Sequence, residues 1–318
     1  MYSSRMKHAS TDNRDSDAAQ DDSAASDGMA EVVVTDRPAW RRLGRFDRLA
    51  VVLTVVIVTV ATIPRLRPGV CFSDAGDLQL ASATLGIMHP PGYAGYATIG
   101  YILTRVPGVE PAYVVSLACL ATGIVALILC LMIQVRLGVS PWIAGSLALA
   151  LLLHSRVWTN LVVPEVYMPS LALLLGSAYC LMRYAQLGRR RDVYIAGLLF
   201  GLVLANRPTV VWMLPFFLAA WWLARGCWEP SWRRWARTFL WLACCGIGPG
   251  LYSLGYVWVR DSPSVTYNYI DHKNAEVRLL PEADAGWEAK AERLAWHVSG
   301  REFKRWERAE VAARQSYT

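Results

Sequence analysis

Long apolar runs alternating with arginine clusters constrain this chain more than anything else in it. The runs cover residues 49–63, 112–135, 142–157, 168–182, 193–223 and 238–259. Before, between and after them stand Arg37, Arg41, Arg42, Arg45 and Arg48, then Arg136, then Arg183 and Arg189 to Arg191, then the cluster within 225–237. A stretch of about 20 apolar residues crosses the hydrocarbon core of a bilayer, and Arg and Lys beside such stretches stay on the cytoplasmic side. The run 193–223 is too long for one crossing and is interrupted by Asn206-Arg207-Pro208-Thr209, so it reads as two short helices that go out and back. With every basic cluster held inside, the chain crosses seven times from a cytoplasmic N-terminus. In lipid the backbone must satisfy its own hydrogen bonds, which leaves helices as the spanning element here. The predicted fold is an all-α polytopic bundle of about seven transmembrane helices.

Composition agrees. Of 318 residues 54% are hydrophobic and 14 are Trp, more apolar material than a soluble domain of this length needs to bury. The net charge of +7 comes from arginine, with Lys7, Lys273, Lys290 and Lys304 as the lysines. Because that charge sits in short loops beside apolar runs, it marks topology, and no basic surface interleaved with aromatics supports nucleic-acid binding. Cys119, Cys130, Cys180, Cys244 and Cys245 lie inside apolar runs, Cys227 lies in the Arg-rich loop, and Cys71 stands alone on the outer side. No disulfide is expected, and no Cys/His spacing suits a metal. Residues 1–36, rich in Ser, Asp and Ala, cannot bury a core and read as a disordered tail. Residues 37–260 form the membrane domain. Residues 261–318 are charged and amphipathic, with Trp287, Leu294, Trp296 and Trp306, and are expected outside, lying on the membrane or over a cavity. The end at Ser316-Tyr317-Thr318 carries no closing signal, so further domains are expected beyond it.

The first outer loop holds the most concentrated chemistry. If a helix opens at Asp74, then Leu78, Ala81, Leu85 and Met88 share one face. Asp74 then serves as an N-cap with Asp77 in the first turn, or one of the two carboxylates acts as a base on a rigid mount. After them come the turn His89-Pro90-Pro91-Gly92-Tyr93 and an interfacial helix over 93–106 carrying Tyr93, Tyr96 and Tyr101. The next outer turn, 158–167, contains Pro164-Glu165-Val166-Tyr167, and the break in the long run contains Asn206 and Arg207. The alternation of crossings gathers Asp74, Asp77, His89, Glu165, Asn206 and Arg207 on one membrane face, which suggests a shared cavity. Individually each has a plainer role. Glu165 suits a solvated loop, and His89 suits a turn. An arginine in an apolar segment costs about 2.5 to 3.5 kcal/mol at mid-membrane, so Arg207 either pairs with Glu165 or offers its planar fork to a phosphate.

The strings Asp74-Ala-Gly-Asp77-Leu78, Leu85-Gly86-Ile87 to His89-Pro90-Pro91-Gly92-Tyr93, Pro164-Glu165-Val166-Tyr167 and Gly201-Leu-Val-Leu-Ala-Asn206 together resemble the protein O-mannosyltransferase-like family of GT-C membrane glycosyltransferases. His297-Val-Ser-Gly300-Arg-Glu-Phe-Lys304 resembles a segment after that family's core helices, so the likeness runs over about residues 45–304. Two departures stand out: Ala75 and Asp77 where many relatives carry Ser and Glu, and Arg207-Pro208 where many have a His after the Asn. The resemblance implies a GT-C helical bundle that transfers a sugar, mannose, from a polyprenyl-phosphate carrier to an acceptor hydroxyl. The acceptor is a protein Ser or Thr on the extracytoplasmic face, and transfer inverts the anomeric centre. It further implies Asp74 as base with Asp77 beside it, Arg207 as phosphate contact, and Asn206, His89, Glu165 and Tyr167 shaping the donor pocket, with no metal or cofactor. Two alternatives remain: the same fold acting on a lipid or cell-wall glycan, and a lipid-linked sugar transporter or flippase. The transporter would carry inverted repeats, and none is found. Arginine-rich, lysine-poor usage points to a bacterial plasma membrane, with the endoplasmic reticulum as the eukaryotic counterpart.

Overall fold

The computed structural model describes residues 44–226, 232–277 and 280–301, and the expectations for the N-terminal tail and for 302–318 lie outside the described residues. In chain order the helices are α1 (Arg45–Thr62), α2 (Asp74–Thr84), α3 (Ala94–Leu103), α4 (Pro111–Arg136), α5 (Pro141–Leu152) and α6 (Ser155–Val162). Then come α7 (Tyr167–Leu187), α8 (Arg190–Asn206), α9 (Leu214–Gly226), α10 (Trp232–Arg260), α11 (Tyr269–Val277) and α12 (Trp287–Val298). No strand occurs among the described residues, and Ile87 and Asn268 form one isolated parallel bridge. Pro111 and Pro141 open α4 and α5 at positions where a missing N–H costs nothing.

Two described helices, α1 with its short 3₁₀ extension and α4, are long and apolar enough to cross a membrane. The pair α6 and α7 makes a third if counted as one broken span, since the two meet at 104°. Shorter apolar helices fill the rest, α3 and α5 among them. The bundle is built by α4 on α7, α7 on α8, and α8 on α10, with α1 packed against α5 and α4. The contact of α8 with α10 is close enough that a Cβ at Gly201 would stand 1.7 Å from the Cys245 carbonyl oxygen, so only glycine fits there.

Local structure departs from the sequence expectation at three points. Asp74 does not cap α2: Ser73 occupies the cap position with φ 60°, no side chain closes the turn, and Asp74 is the first helical residue. The helix ends at Thr84 with Leu85 left-handed at φ 53°, so Leu85 and Met88 do not continue the Leu78–Ala81 face. Met88 is nonetheless fully buried, because the chain folds back under the same core. Finally, the segment 158–167, expected as a turn, contains part of an extra helix. The run 142–157 breaks at His154, which is extended, and α6 follows, burying Leu161. A turn of polar and apolar residues at helical spacing coils up when one face can be covered.

The polar side chains that fasten the end of the bundle where α2 begins are buried ones. Gln79 accepts the Cys71 N–H at 2.7 Å and donates to the Ala112 carbonyl at 3.0 Å and Ser116 Oγ at 3.2 Å, tying α2 to the start of α4. Tyr256 Oη donates to the Gly86 carbonyl at 2.7 Å, and Arg260 Nε donates to the Leu85 carbonyl at 2.7 Å, so the end of α10 grips the turn after α2. Beyond α10 the chain is organised around Arg293. Its guanidinium is 0% exposed and meets Asp261 through Nε at 2.8 Å and Nη2 at 2.7 Å, with Asp271 and the Pro281 carbonyl completing the shell. Asn268 Nδ2 bridges the same two acids at 2.9 and 3.0 Å. The described residues of the predicted amphipathic segment therefore form a folded cap with an ionic centre.

Candidate functional site

The helix start at Asp74, the turn 85–93, the loop before α7 and the break after α8 meet at this end of the bundle. Asp74 is exposed at the tip of α2. One turn on, Asp77 is half-buried, and its Oδ2 accepts the His89 backbone N–H at 2.9 Å and faces His89 Nδ1 at 2.5 Å. A carboxylate on one ring nitrogen fixes the tautomer and directs the other outward. Burial disfavours charge on His89, yet the hydrogen bond and attraction from Asp77, helped by Asp74 and Glu165, raise its pKa above the ordinary value. Asp77 Oδ1 is buried without a hydrogen-bond partner.

Around that pair stand aromatics. Tyr93 lies edge-on to His89 at 5.1 Å and Tyr269 at 6.2 Å, with His297 6.3 Å beyond Tyr269. Burial pushes the Tyr93 phenol up to about 12. Tyr267 is raised by burial and by the Asp77 carboxylate beside it. His297 is fully buried, its two ring nitrogens have no partner, and burial lowers its pKa to about 3, so it is a neutral ring. It touches the turn where Gly92 takes φ 94°, and a Cβ there would come within 3.1 Å of His297 Nε2. The turn is bound on its other side by the bridge: the Ile87 N–H donates to the Tyr267 carbonyl and the Tyr269 N–H to the Ile87 carbonyl, both at 3.1 Å.

Glu165 joins the group from the loop before α7. Burial and the charge of Asp74 raise its pKa, against the lowering pull of His89, the Val166 N–H and Arg207. Its backbone is held by Cys119, whose Sγ accepts the Glu165 N–H at 3.5 Å. Arg207 does not ion-pair with Glu165. Its guanidinium stacks 4.3 Å above the Tyr167 ring, and Nε donates to Thr209 Oγ1 at 3.1 Å. The Asn206 amide N–H donates to Ser170 Oγ at 2.6 Å and the Val166 carbonyl at 3.4 Å, clasping α8 to α7. Asp74, His89, Glu165, Tyr93 and Arg207 thus share one electrostatic neighbourhood, with Tyr167 as a stacking platform and Asn206 behind it. Sequence reasoning did not mark Tyr267, Tyr269 or Gln79 as site residues. The first two arrive from beyond α10, and no spacing connects them to Asp77.

Directly beneath lies a cavity of about 790 Å³ between α3, α4, α7, α8 and α10, with Tyr96, Val115, Leu129, Leu173, Leu199 and Pro249 among its walls. Its walls follow α4 from Val115 to Leu129, about 21 Å of helix at 1.5 Å per residue. Asn206 and Gly95 lie at the end near the polar group. No group of three His, Cys, Asp or Glu side chains suited to a metal occurs among the described residues.

Comparison with known proteins locates the likeness. Residues 74–227 match the family model described as Protein O-mannosyl-transferase TMEM260 N-terminal domain. The mouse protein named Protein O-mannosyl-transferase TMEM260 is 34% identical over 130 residues, which make up 40% of this chain and 18% of that protein. The chain therefore spans well under two thirds of that relative's length. No solved structure matches. The matched region contains Asp74, Asp77, His89, Glu165, Tyr167, Asn206 and Arg207, while the cap built around Arg293 lies beyond it.

Proposed function

We infer that this chain, whose residues 74–227 belong to the protein O-mannosyl-transferase-like family, transfers mannose from a polyprenyl-phosphate carrier to a protein hydroxyl. The reading includes a GT-C bundle of about seven crossings with its site on the extracytoplasmic face. The observation that carries it is the junction: a cluster of acids, an imidazole and a guanidinium sits at the end of a long apolar cavity. A lipid-linked sugar has that same division, an apolar chain and an anionic head. The cavity takes the chain, and the polar group takes the phosphate and sugar.

The chemistry divides among named residues. The acceptor Ser or Thr oxygen attacks the anomeric carbon from the side opposite the phosphate, so the configuration inverts. Asp74, exposed at the helix tip, receives the hydroxyl proton as the new C–O bond forms. The anomeric C–O bond to phosphate breaks, and the electron pair leaves with the polyprenyl phosphate. That leaving group stays anionic and needs positive donors in place beforehand. His89, held by Asp77 through Nδ1, presents Nε2, and Arg207, flat on Tyr167, presents its fork. Glu165 faces the sugar between them. Asp77 is here a positioning residue for His89.

The test is a membrane assay with radiolabelled polyprenyl-phosphate mannose, comparing wild type with Asp74→Asn. Loss of the general base lowers the transfer rate roughly 100- to 10,000-fold while donor KM stays within a few-fold. Equal transfer by both proteins removes Asp74 from catalysis and this mechanism with it.

A further inference from the structure

We propose that the Tyr96 hydroxyl is a binding group for the lipid-linked phosphate, placed where the apolar cavity meets the polar site. The proposal rests on the transferase reading for its ligand class, and it assigns a residue that reading does not use. Tyr96 lies on α3, lines the cavity, and is 8% exposed. Its Oη is buried with no hydrogen-bond partner among the described residues. Three other polar side chains on the same walls, those of Thr122, Asn206 and Tyr252, are engaged within the protein. Thr122 Oγ1 donates to the Cys119 carbonyl at 2.8 Å, Asn206 donates to Ser170 and Val166, and the Tyr252 hydroxyl meets that of Thr98. Tyr96 differs from them in having a hydroxyl and no acceptor.

A buried donor without an acceptor is unfavourable, and the great majority of such groups in proteins are paired. A Phe at this position would fill the same wall without that cost. The position supplies the missing partner: Gly95, the preceding residue, is packed against the backbone of Asn206, and Tyr96 lies near Cys119 and Glu165. A lipid chain filling the cavity brings its phosphate to this end. There a phosphate oxygen accepts the phenol O–H. A hydrogen bond to an ionised acceptor is shorter and stronger than a neutral one, so the hydroxyl reads the head group and not the hydrocarbon.

The test separates head from chain. The full-length protein in detergent is titrated separately with radiolabelled polyprenyl phosphate and with the uncharged polyprenol of the same length. Wild type binds the phosphate more tightly than the alcohol. In Tyr96→Phe, phosphate binding weakens about tenfold while polyprenol binding is unchanged, which also shows that the cavity is intact. Full retention of the phosphate preference in Tyr96→Phe overturns the proposal, and so does equal weakening of both ligands, which would mark Tyr96 as packing. Mannosyl transfer by the same wild-type preparation is measured in parallel. Phosphate-selective binding that depends on Tyr96, without transfer, overturns the transferase reading and leaves this site standing. Transfer with an unaltered Tyr96→Phe preference does the reverse.

Discussion

His89 and His297 lie on either side of Tyr269, and their surroundings drive them in opposite directions. Burial disfavours a charge on both, but His89 has a carboxylate on Nδ1, and its pKa is raised above 6.5. The imidazolium is therefore present at and below that value and is lost as pH rises through the raised pKa. If it helps hold the donor phosphate, donor KM increases across that alkaline limb. Asp77→Asn removes the attraction, so the limb moves to lower pH while the rate at saturating donor changes less. A pH series of KM for both proteins checks this, and an unmoved limb removes the His89 charge from donor binding. His297 works the other way. Its folded pKa of about 3 lies below the unfolded 6.5, so the unfolded chain binds the extra proton in between. Stability from this group is complete above pH 6.5 and falls as pH falls toward 3. Thermal unfolding of His297→Asn should show a shallower acid loss over that window than wild type, although its starting stability is lower. From sequence alone, His89 was visible as a chemically capable residue in a proline turn. Its partnership with Asp77 was not, because the turn doubles back only after α2 ends early at Thr84.

Among the elements, α8 decides where the site sits. It approaches α10 at Gly201 and ends at Asn206, whose amide fixes the start of α7, so Glu165, Tyr167 and Arg207 keep one geometry. Gly201→Ala would drive a methyl into the Cys245 carbonyl, and backbone cannot yield as a side-chain tip can. Overpacking of this kind costs about 1 to 3 kcal/mol, read as a lowered midpoint of thermal unfolding in detergent. A midpoint equal to wild type would mean that α8 and α10 are not in this contact. The end of α8 was legible from the sequence: Pro208 lacks an N–H and disfavours a helical residue before it, so the long run had to break there. The pairing of α7 with α8 was also implicit in the short arginine-bearing link between them. The helix α6 was hidden because Pro164 and the polar residues of 158–167 suit a turn, and α6 meets α7 at 104° across the short link that carries Glu165. Asn206 was legible as a polar residue in an apolar run, yet its clasp on α7 depends on Ser170, whose place only the packing shows.

At the scale of the molecule, the site is closed by a segment that the family match does not reach. The cap beyond α10 reaches back through the Ile87–Asn268 bridge and places Tyr267, Tyr269 and His297 around the Asp77–His89 pair. Its own order depends on one buried cation. Arg293 is 0% exposed and Asp261 is 2% exposed, so neither charge has water to fall back on. Replacing the guanidinium in Arg293→Met leaves Asp261 buried and unpaired, a change that costs about 3 to 5 kcal/mol when one partner of a buried pair is lost. Because that cost falls on the cap, its first effect is local. Protease cleavage within 261–300 accelerates, and donor KM rises as the His89 turn loses its backing, while α1 and α4 stay protected. Removing the orphaned acid as well, in Arg293→Met with Asp261→Leu, restores much of the protease resistance, since two apolar groups of similar shape can replace a buried ion pair. Limited proteolysis and donor KM measured on the single and double variants decide the matter. A single variant as resistant as wild type would show that the cap is held by its apolar contacts and not by this ion pair.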